Sequence, residues 1–225
     1  MEASLLIKFP SRSRPSKFLE TIENITELIG MNDYVIQATL DSDDESMNNH
    51  DVKVKMSKCH NLVYIFGDSK SKCAAINRDM DLEIFEWKVC ILMSDDMRFS
   101  EYGFGKNILV DMKTNFPNYD GVLHYPDSHQ KDKLITLSIF GINYYRRFNY
   151  IYHPDYKNVY ADNEFTRVAK SLGKYKFLPR QIFDHYHPVW GMSEWDEQYR
   201  AQNNSQTYSD DMMVFRKREQ LNFPL

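Results

Sequence analysis

The order in which apolar runs and amphipathic stretches alternate is what most constrains the fold of this chain. Leu5 to Phe9 is a short apolar run ended by Pro10 and a Ser/Arg loop, the pattern of a buried strand. After Pro15, apolar residues recur at Phe18, Leu19, Ile22, Ile25, Leu28 and Ile29. Spacings of three and four lay them on one face of a helix, and Gly30 is its stop. Tyr34 to Leu40 is a second strand, broken by the acidic turn Asp41 to Glu45. Asn61 to Phe66 is a third, ended by Gly67-Asp68, with a helix over Lys72 to Met80 behind it. Trp87 to Met93 is a fourth, ended by Ser94-Asp95-Asp96. Consecutive parallel strands need a crossover, and a helix fills it, so this half predicts a mostly parallel sheet with helices on both faces.

The second half reads differently. Lys106 to Asn115 predicts a helix, Val122 to Tyr125 and Leu134 to Phe140 strands, and Asp162 to Leu172 a helix. Phe183 to His187 reads as a strand or extended segment, and the polar tail from Asp196 carries a helix near Asp210 to Leu221. No Pro/Gly/Ser linker separates two domains. With 225 residues, 42% of them hydrophobic, the chain supports one large core. The expectation is a single α/β domain over 1–225, with a mixed, mostly parallel central sheet flanked by helices. Residues 1–100 form a ligand-binding half, 101–195 an acceptor-side half, and 196–225 a C-terminal tail.

Charge narrows the partners. Lys and Arg (28) nearly cancel Asp and Glu (32), leaving a net charge of −4. Nucleic-acid binding needs a basic face, so no nucleic acid is expected. Small anions need only a local cluster and stay open. Three cysteines, Cys59, Cys73 and Cys90, cannot all pair and form no CxxC. That disfavours a disulfide scaffold or a structural zinc and suggests a reducing compartment. No apolar run spans a bilayer. A cytoplasmic protein is expected, with peripheral membrane association left open.

In open α/β sheets, ligands bind outside the carboxyl ends of the strands. Ser11-Arg12-Ser13-Arg14, Asp41 to Asp44, Gly67 to Lys72 and Asp95-Asp96 all fall there. Arginine and lysine suit phosphates. Carboxylates suit ribose hydroxyls, base N–H groups and a hard divalent cation. Together they describe a nucleotide-diphosphate site that uses metal. Each cluster also has a plainer reading: the acidic turn as a solvated turn, Lys70 and Lys72 as surface lysines. Gly67-Asp68-Ser69-Lys70-Ser71 lacks the spacing of a Walker A motif, and no GxGxxG occurs, which disfavours P-loop and NAD chemistry.

The ordered set resembles nucleotide-sugar-dependent glycosyltransferases of the GT-A fold, particularly the large inverting family 2. Pro10-Ser11-Arg12-Ser13-Arg14-Pro15 resembles that family's "P-T-x-x-R-P" loop, and Thr39-Leu40-Asp41-Ser42-Asp43-Asp44 its acidic second-strand turn. Ser71 to Arg78 resembles a helix ending "A-x-N-x-G", without the glycine, and Cys90 to Met97 the fourth-strand "DxD" metal motif, with Met93 in place of its first acid. The resemblance runs over about residues 4–190.

The resemblance implies a metal-dependent transfer of a sugar from a UDP, GDP or dTDP donor to a hydroxyl of a glycan, lipid-linked or protein acceptor, with inversion. Ser11, Arg12, Arg14, Asp41, Asp43, Lys72, Asn77, Ser94 and Asp95 would bind the nucleotide sugar, with Asp41 accepting from the base. Asp95, Asp96 and His187 would hold Mn²⁺ or Mg²⁺. An inverting enzyme needs a general base beside the acceptor. Ala161 to Arg167 resembles the family's "ED" turn and implies Asp162, with Glu164 in reserve. The plain alternative there is a helix N-cap. Within Asp184 to Trp190, the alternating His185 and His187 point the same way on an extended segment. One is a candidate metal ligand; His185 and Trp190 are candidate acceptor or sugar contacts, against a reading as aromatic core. The competing functions are a sugar-nucleotide nucleotidyltransferase, disfavoured by the glycine-free first loop, a non-catalytic nucleotide-sugar or carbohydrate-binding protein, and a retaining transferase.

Overall fold

The computed structural model describes residues 4–81, 86–192 and 195–224. In chain order the elements are β1 (Leu5–Ser11), α1 (Pro15–Leu28), β2 (Tyr34–Asp41), α2 (His50–Met56), β3 (Leu62–Gly67), α3 (Lys72–Asn77), β4 (Val89–Leu92) and β5 (Met97–Phe99). There follow α4 (Phe104–Asn115), β6 (Val122–His124), β7 (Ile139–Gly141), α5 (Ile142–Tyr145) and α6 (Ala161–Ser171). Then come β8 (Tyr175–Phe177), β9 (Phe183–His185), a 3-10 turn (Pro188–Trp190), α7 (Glu197–Gln202) and α8 (Ser205–Gln220).

Seven strands form one sheet in the order β3-β2-β1-β4-β7-β6-β8. The first four run parallel, with Leu5 opposite both Tyr34 and Val89. β7 is antiparallel to β4 and to β6, and β8 is parallel to β6. This is the mixed, mostly parallel α/β domain that the alternation of elements predicts, of the Rossmann-like, GT-A type that the resemblance implies. A separate antiparallel ribbon pairs β5 with β9, Met97 opposite His185.

The sheet is buried on both faces, as parallel strands are when helices cross over them. Leu5, Ile7 and Phe9 of β1 join α1, α2 and α4 on one side; Leu6 joins α3, α5, α6 and α8 on the other. Lys8 shares that second face and is completely buried. Its ammonium donates to Thr39 and to the Arg78 carbonyl (2.5 Å), and burial lowers it to about 8 against the opposing pull of Asp79. Helix α1 stops where expected. Gly30 takes φ +67°, and a Cβ there would come within 2.7 Å of Gly103 Cα. The three cysteines are free, and among the described residues no helix is long and apolar enough to cross a membrane.

Several boundaries differ from expectation. The helix expected to reach Met80 ends at Asn77, because Arg78 turns to extended backbone and sends its side chain to the ends of β2 and β3. The expected strand over Leu134 to Phe140 is confined to Ile139–Gly141; Ile135 gives its N–H to the Thr166 hydroxyl instead of a ladder. The last helix begins at Ser205, capped by Asn204 accepting from Thr207 N (2.9 Å). The expected extended segment to His187 pairs as a strand only to His185, after which Pro188 opens a 3-10 turn.

Candidate functional site

Two adjoining hollows open at the carboxyl ends of β1, β2 and β4. One, of about 340 Å³, is lined by Arg12, Arg14, Asp41, Asp43, Lys72 and Asp95 among others. The second, of about 390 Å³, reaches to α6 and the segment after β9. Pro10, Lys72, Ser94, Asp96 and Tyr199 line both and so form the seam.

In the first hollow, the acidic turn after β2 grips the loop after β1. Arg12 donates to Asp41 (2.9 Å) and to both oxygens of Asp43 (2.6 and 2.9 Å). The guanidinium holds the Asp43 carboxyl below the usual range. Ser13 N donates to the buried Asp44 (2.6 Å). The turn is therefore not merely solvated. Asp41 also lies 3.4 Å from Arg78. Sequence reasoning gave Arg78 no role, yet it donates as well to Leu40 O and Ser69 Oγ, both at 2.6 Å. Two arginines thus flank Asp41 beneath the hollow.

Asp95 accepts from Arg14 (2.8 Å) and Ser11 Oγ (3.1 Å). Burial pushes its carboxyl up against the pull of Arg14. Arg14 reaches on to Asp196 (2.7 Å) and lies over the Tyr199 ring at 4.2 Å. Asp196 caps α7 by accepting from Tyr199 N (2.9 Å). The C-terminal segment thereby becomes a wall of the site. Lys72 opens α3, exposed, with no ion pair among the described residues.

At the seam, the second oxygen of Asp96 accepts from the Tyr199 hydroxyl and faces His185 Nε2 at 3.4 Å. The other ring nitrogen of His185 faces Asp127 at 3.6 Å, longer than a hydrogen bond. Asp127 is held by His129 N (2.9 Å), Gln130 N and Thr136 Oγ1 (3.0 Å). Burial would lower the imidazole; Asp127 and Asp96 override it and raise His185 to about 9. Burial would likewise raise Asp96, but His185 holds its carboxyl well below the usual range. His187 is the opposite case: burial, then the charge on His185, lowers it to about 4. Its Nδ1 accepts from Val189 N (3.2 Å) at the start of the 3-10 turn.

The fit of a divalent cation can be judged from these donors. No set of three His, Cys, Asp or Glu side chains among the described residues forms a cation site. Both Asp95 oxygens are engaged by Ser11 and Arg14. What remains is the first oxygen of Asp96, buried and without a partner, and the neutral ring of His187 on the same hollow. A cation held by one or two carboxylates together with substrate phosphates fits that donor set; an all-protein cage does not.

Asp162 lines the second hollow as the second residue of α6. It follows Tyr160, which occupies the N-cap in the left-handed region (φ 63°) and caps with no side chain. The expected N-capping side chain is therefore not formed. Among the described residues the Asp162 side chain accepts only from Asn163 N (2.9 Å) and has no ion pair, and enclosure pushes its carboxyl up. The loop before it is fixed from a distance. Asp211, fully buried in α8, accepts from Lys157 N, Asn158 N and Val159 N at 2.9, 2.8 and 2.9 Å.

The candidates therefore sort by place. Ser11, Arg12, Arg14, Asp41, Asp43, Lys72, Ser94, Asp95 and Asp96 line the first hollow; Asp162, His185, His187 and Trp190 line the second. Two candidates line neither. Asn77 ties down the 151–152 backbone, donating to Tyr152 O (2.6 Å) and accepting from Ile151 N (2.8 Å). Glu164 is buried in a clamp, accepting from Arg218 (2.8 Å) and the Tyr156 hydroxyl (2.7 Å). Arg78, Asp127, Asp196, Tyr199 and Asp211 are the residues sequence reasoning missed.

Comparison with protein-family models and with curated protein sequences returns no match. Among solved structures, the chain is similar to the mannosyltransferase PcManGT from Pyrobaculum calidifontis, solved with GDP-Man and Mn²⁺. The TM-score is 0.60 and identity 12%, over 80% of this chain and 55% of that one. It is also similar to S. aureus TarS 1–349 in complex with UDP-GlcNAc, with TM-score 0.64 and 11% identity, over 94% of this chain and 65% of that one. Against a structure of S. aureus TarS not limited to that fragment it covers 36%. The chain thus spans about half the length of the structures it matches. At such identity the likeness shows a shared fold.

Proposed function

We propose that this chain binds a nucleotide-diphosphate sugar in the first hollow and transfers the sugar, with inversion, to an acceptor hydroxyl in the second. The observation that carries this reading is the meeting of the two hollows at Lys72 and Asp96, with the Asp162 carboxylate, which has no ion pair among the described residues, on the second hollow. A donor would place its base and ribose toward Asp41 and Asp43 and its diphosphate toward Arg14 and Lys72. That two of the similar structures were solved with GDP-Man and UDP-GlcNAc supports a ligand of this class.

Asp162 takes the proton from the acceptor hydroxyl as its oxygen bonds to the anomeric carbon. The bond from that carbon to the diphosphate oxygen breaks, and the nucleoside diphosphate leaves with the electron pair. Enclosure raises Asp162 toward the proton affinity a general base needs. Arg14 and Lys72 stabilise charge as it grows on the leaving group. A Mn²⁺ or Mg²⁺ ion, when bound by Asp96 and His187 beside Asp95, would add charge neutralisation of the diphosphate.

The test is a thermal-shift screen with UDP-, GDP- and dTDP-sugars, each with Mn²⁺ or EDTA, since ligand binding raises the melting point by mass action. A rise with one nucleotide sugar supports the reading and names the base. A rise confined to nucleoside triphosphates would turn it toward a nucleotidyltransferase, and no rise with any of them would overturn it.

A further inference from the structure

Resting on that reading, the second hollow also constrains the acceptor. Its lining outside the seam is rich in neutral amides: Gln130, Asn158, Asn163 and Asn203. The side chains of Gln130 and Asn163 make no hydrogen bond among the described residues. An amide offers both donors and an acceptor, which matches a sugar hydroxyl, itself both donor and acceptor.

The aromatic element is equally specific. Trp190 lines the hollow, stacked against His129 with centroids 4.7 Å apart and planes at 7°. The indole remains 43% exposed. An indole backed on one side and open elsewhere offers a flat apolar surface, suited to the C–H face of a pyranose ring.

Charge separates the two hollows. The first carries Arg12, Arg14, Lys70 and Lys72 beside Asp41, Asp43, Asp95 and Asp96, so four cations stand there against four carboxylates. Among its described lining residues the second has no arginine, and its one lysine, Lys72, stands at the seam. The carboxylates of Asp96, Asp127 and Asp162 line it, and of these only Asp96 and Asp127 face the His185 ring. A phosphate or carboxylate on the acceptor would lie beside Asp162, with Lys72 away at the seam and His185 already held between Asp96 and Asp127, a repulsion that excludes the wrong partner.

We infer that the acceptor is a neutral carbohydrate, its ring on Trp190 and its hydroxyls on the amides beside Asp162, and that acceptors carrying an anionic group on that ring are rejected. The experiment uses the full chain and the donor identified by thermal shift. Transfer is measured to α- and β-p-nitrophenyl hexosides and neutral disaccharides, and to the 6-phosphate and uronate counterparts of the same sugars and a polyprenyl phosphate, with donor hydrolysis followed in parallel. Transfer to a neutral glycoside is expected, with the charged counterpart at least about tenfold poorer in kcat/KM. Trp190→Ala should raise the acceptor KM about tenfold and leave donor affinity and melting point unchanged, whereas Trp190→Phe should keep most of the affinity. Equal or better use of the charged acceptors would overturn the inference, as would an unchanged acceptor KM in Trp190→Ala, or donor hydrolysis with no transfer to any neutral sugar. Absence of both donor binding and hydrolysis would instead sink the glycosyl-transfer reading beneath it.

Discussion

Tyr199 donates its hydroxyl to Asp96, 103 residues earlier in the chain, and so binds the first turn of α7 to the segment between β4 and β5. Both groups are buried, and the carboxylate is charged. Tyr199→Phe should lower stability by about 1.5–3 kcal/mol, the scale of a hydrogen bond to a charged group. The ring beneath Arg14 is kept in this variant. Urea unfolding reads the change, and an unaltered midpoint would mean that the bond contributes nothing.

Asp162 and Glu164 share a helical turn but face different surroundings. Asp162→Asn should leave donor binding intact and slow transfer by ~10²-fold or more. Glu164→Gln weakens the buried pair with Arg218, so its loss should appear as a lower melting point, with kcat near normal for the folded fraction. A dead but fully stable Glu164→Gln enzyme, with a silent Asp162→Asn, would exchange the two roles.

Asp211 should behave as a positioning residue. Asp211→Asn retains one oxygen for three backbone N–H groups and removes the charge that gathers them. The expected result is a fall in kcat of about tenfold or more, with donor KM unchanged, plus about 1–3 kcal/mol of stability. Equal loss of stability without any change in kcat would confine Asp211 to folding.

Asp95 and Asp96 should separate in a binding assay. Asp96→Asn removes the charge behind the unpartnered oxygen, and the Mn²⁺-dependent part of donor binding should vanish. Asp95→Ala releases Arg14 and Ser11, and should abolish donor turnover with or without metal. Calorimetric titration of the donor with Mn²⁺ or EDTA distinguishes them; metal-dependent binding that survives in Asp96→Asn counts against Asp96 as a ligand.

The ion pairing of His185 gives stability a pH signature. The folded-state value of about 9 lies above the ordinary 6.5, so the native state holds this proton more tightly. The contribution is complete below about pH 6.5 and is lost as pH rises through about 9; its upper bound is about 3 kcal/mol. In ligand-free protein, unfolding free energy should therefore fall between pH 6.5 and 9.5, and His185→Gln should flatten that slope. Parallel slopes in both proteins would remove His185 as the cause.

What was legible in the chain follows from how local the signal is. β1 to β4 announce themselves as continuous apolar runs, since strands buried on both faces need no alternation. The strand-end clusters follow directly, because each sits within a few residues of its strand. Arg78 was opaque: its role depends on leaving the helix one turn early to reach Asp41, 37 residues away. Asn77 and Glu164 were misplaced for the same reason, since their partners, the 151–152 backbone and Arg218, are distant in sequence. β5 and β8, three residues each, carry too little pattern to stand out. Tyr199, Asp196 and Asp211 lie in a polar tail whose composition reads as surface.

That tail has a consequence for biosynthesis. A ribosome releases residues 1–190 before α7 and α8, and they contain all the described strands and most of the lining of both hollows. The partners of Arg14 and Asp96 in α7, and the anchor of the 157–159 loop in α8, emerge after them. Since domains assemble as they emerge, the sheet can form on a nascent chain whose site is still open. The walls that α7 and α8 give the two hollows are thereby added to a sheet already formed, so the core and the site above it are completed at different stages of folding.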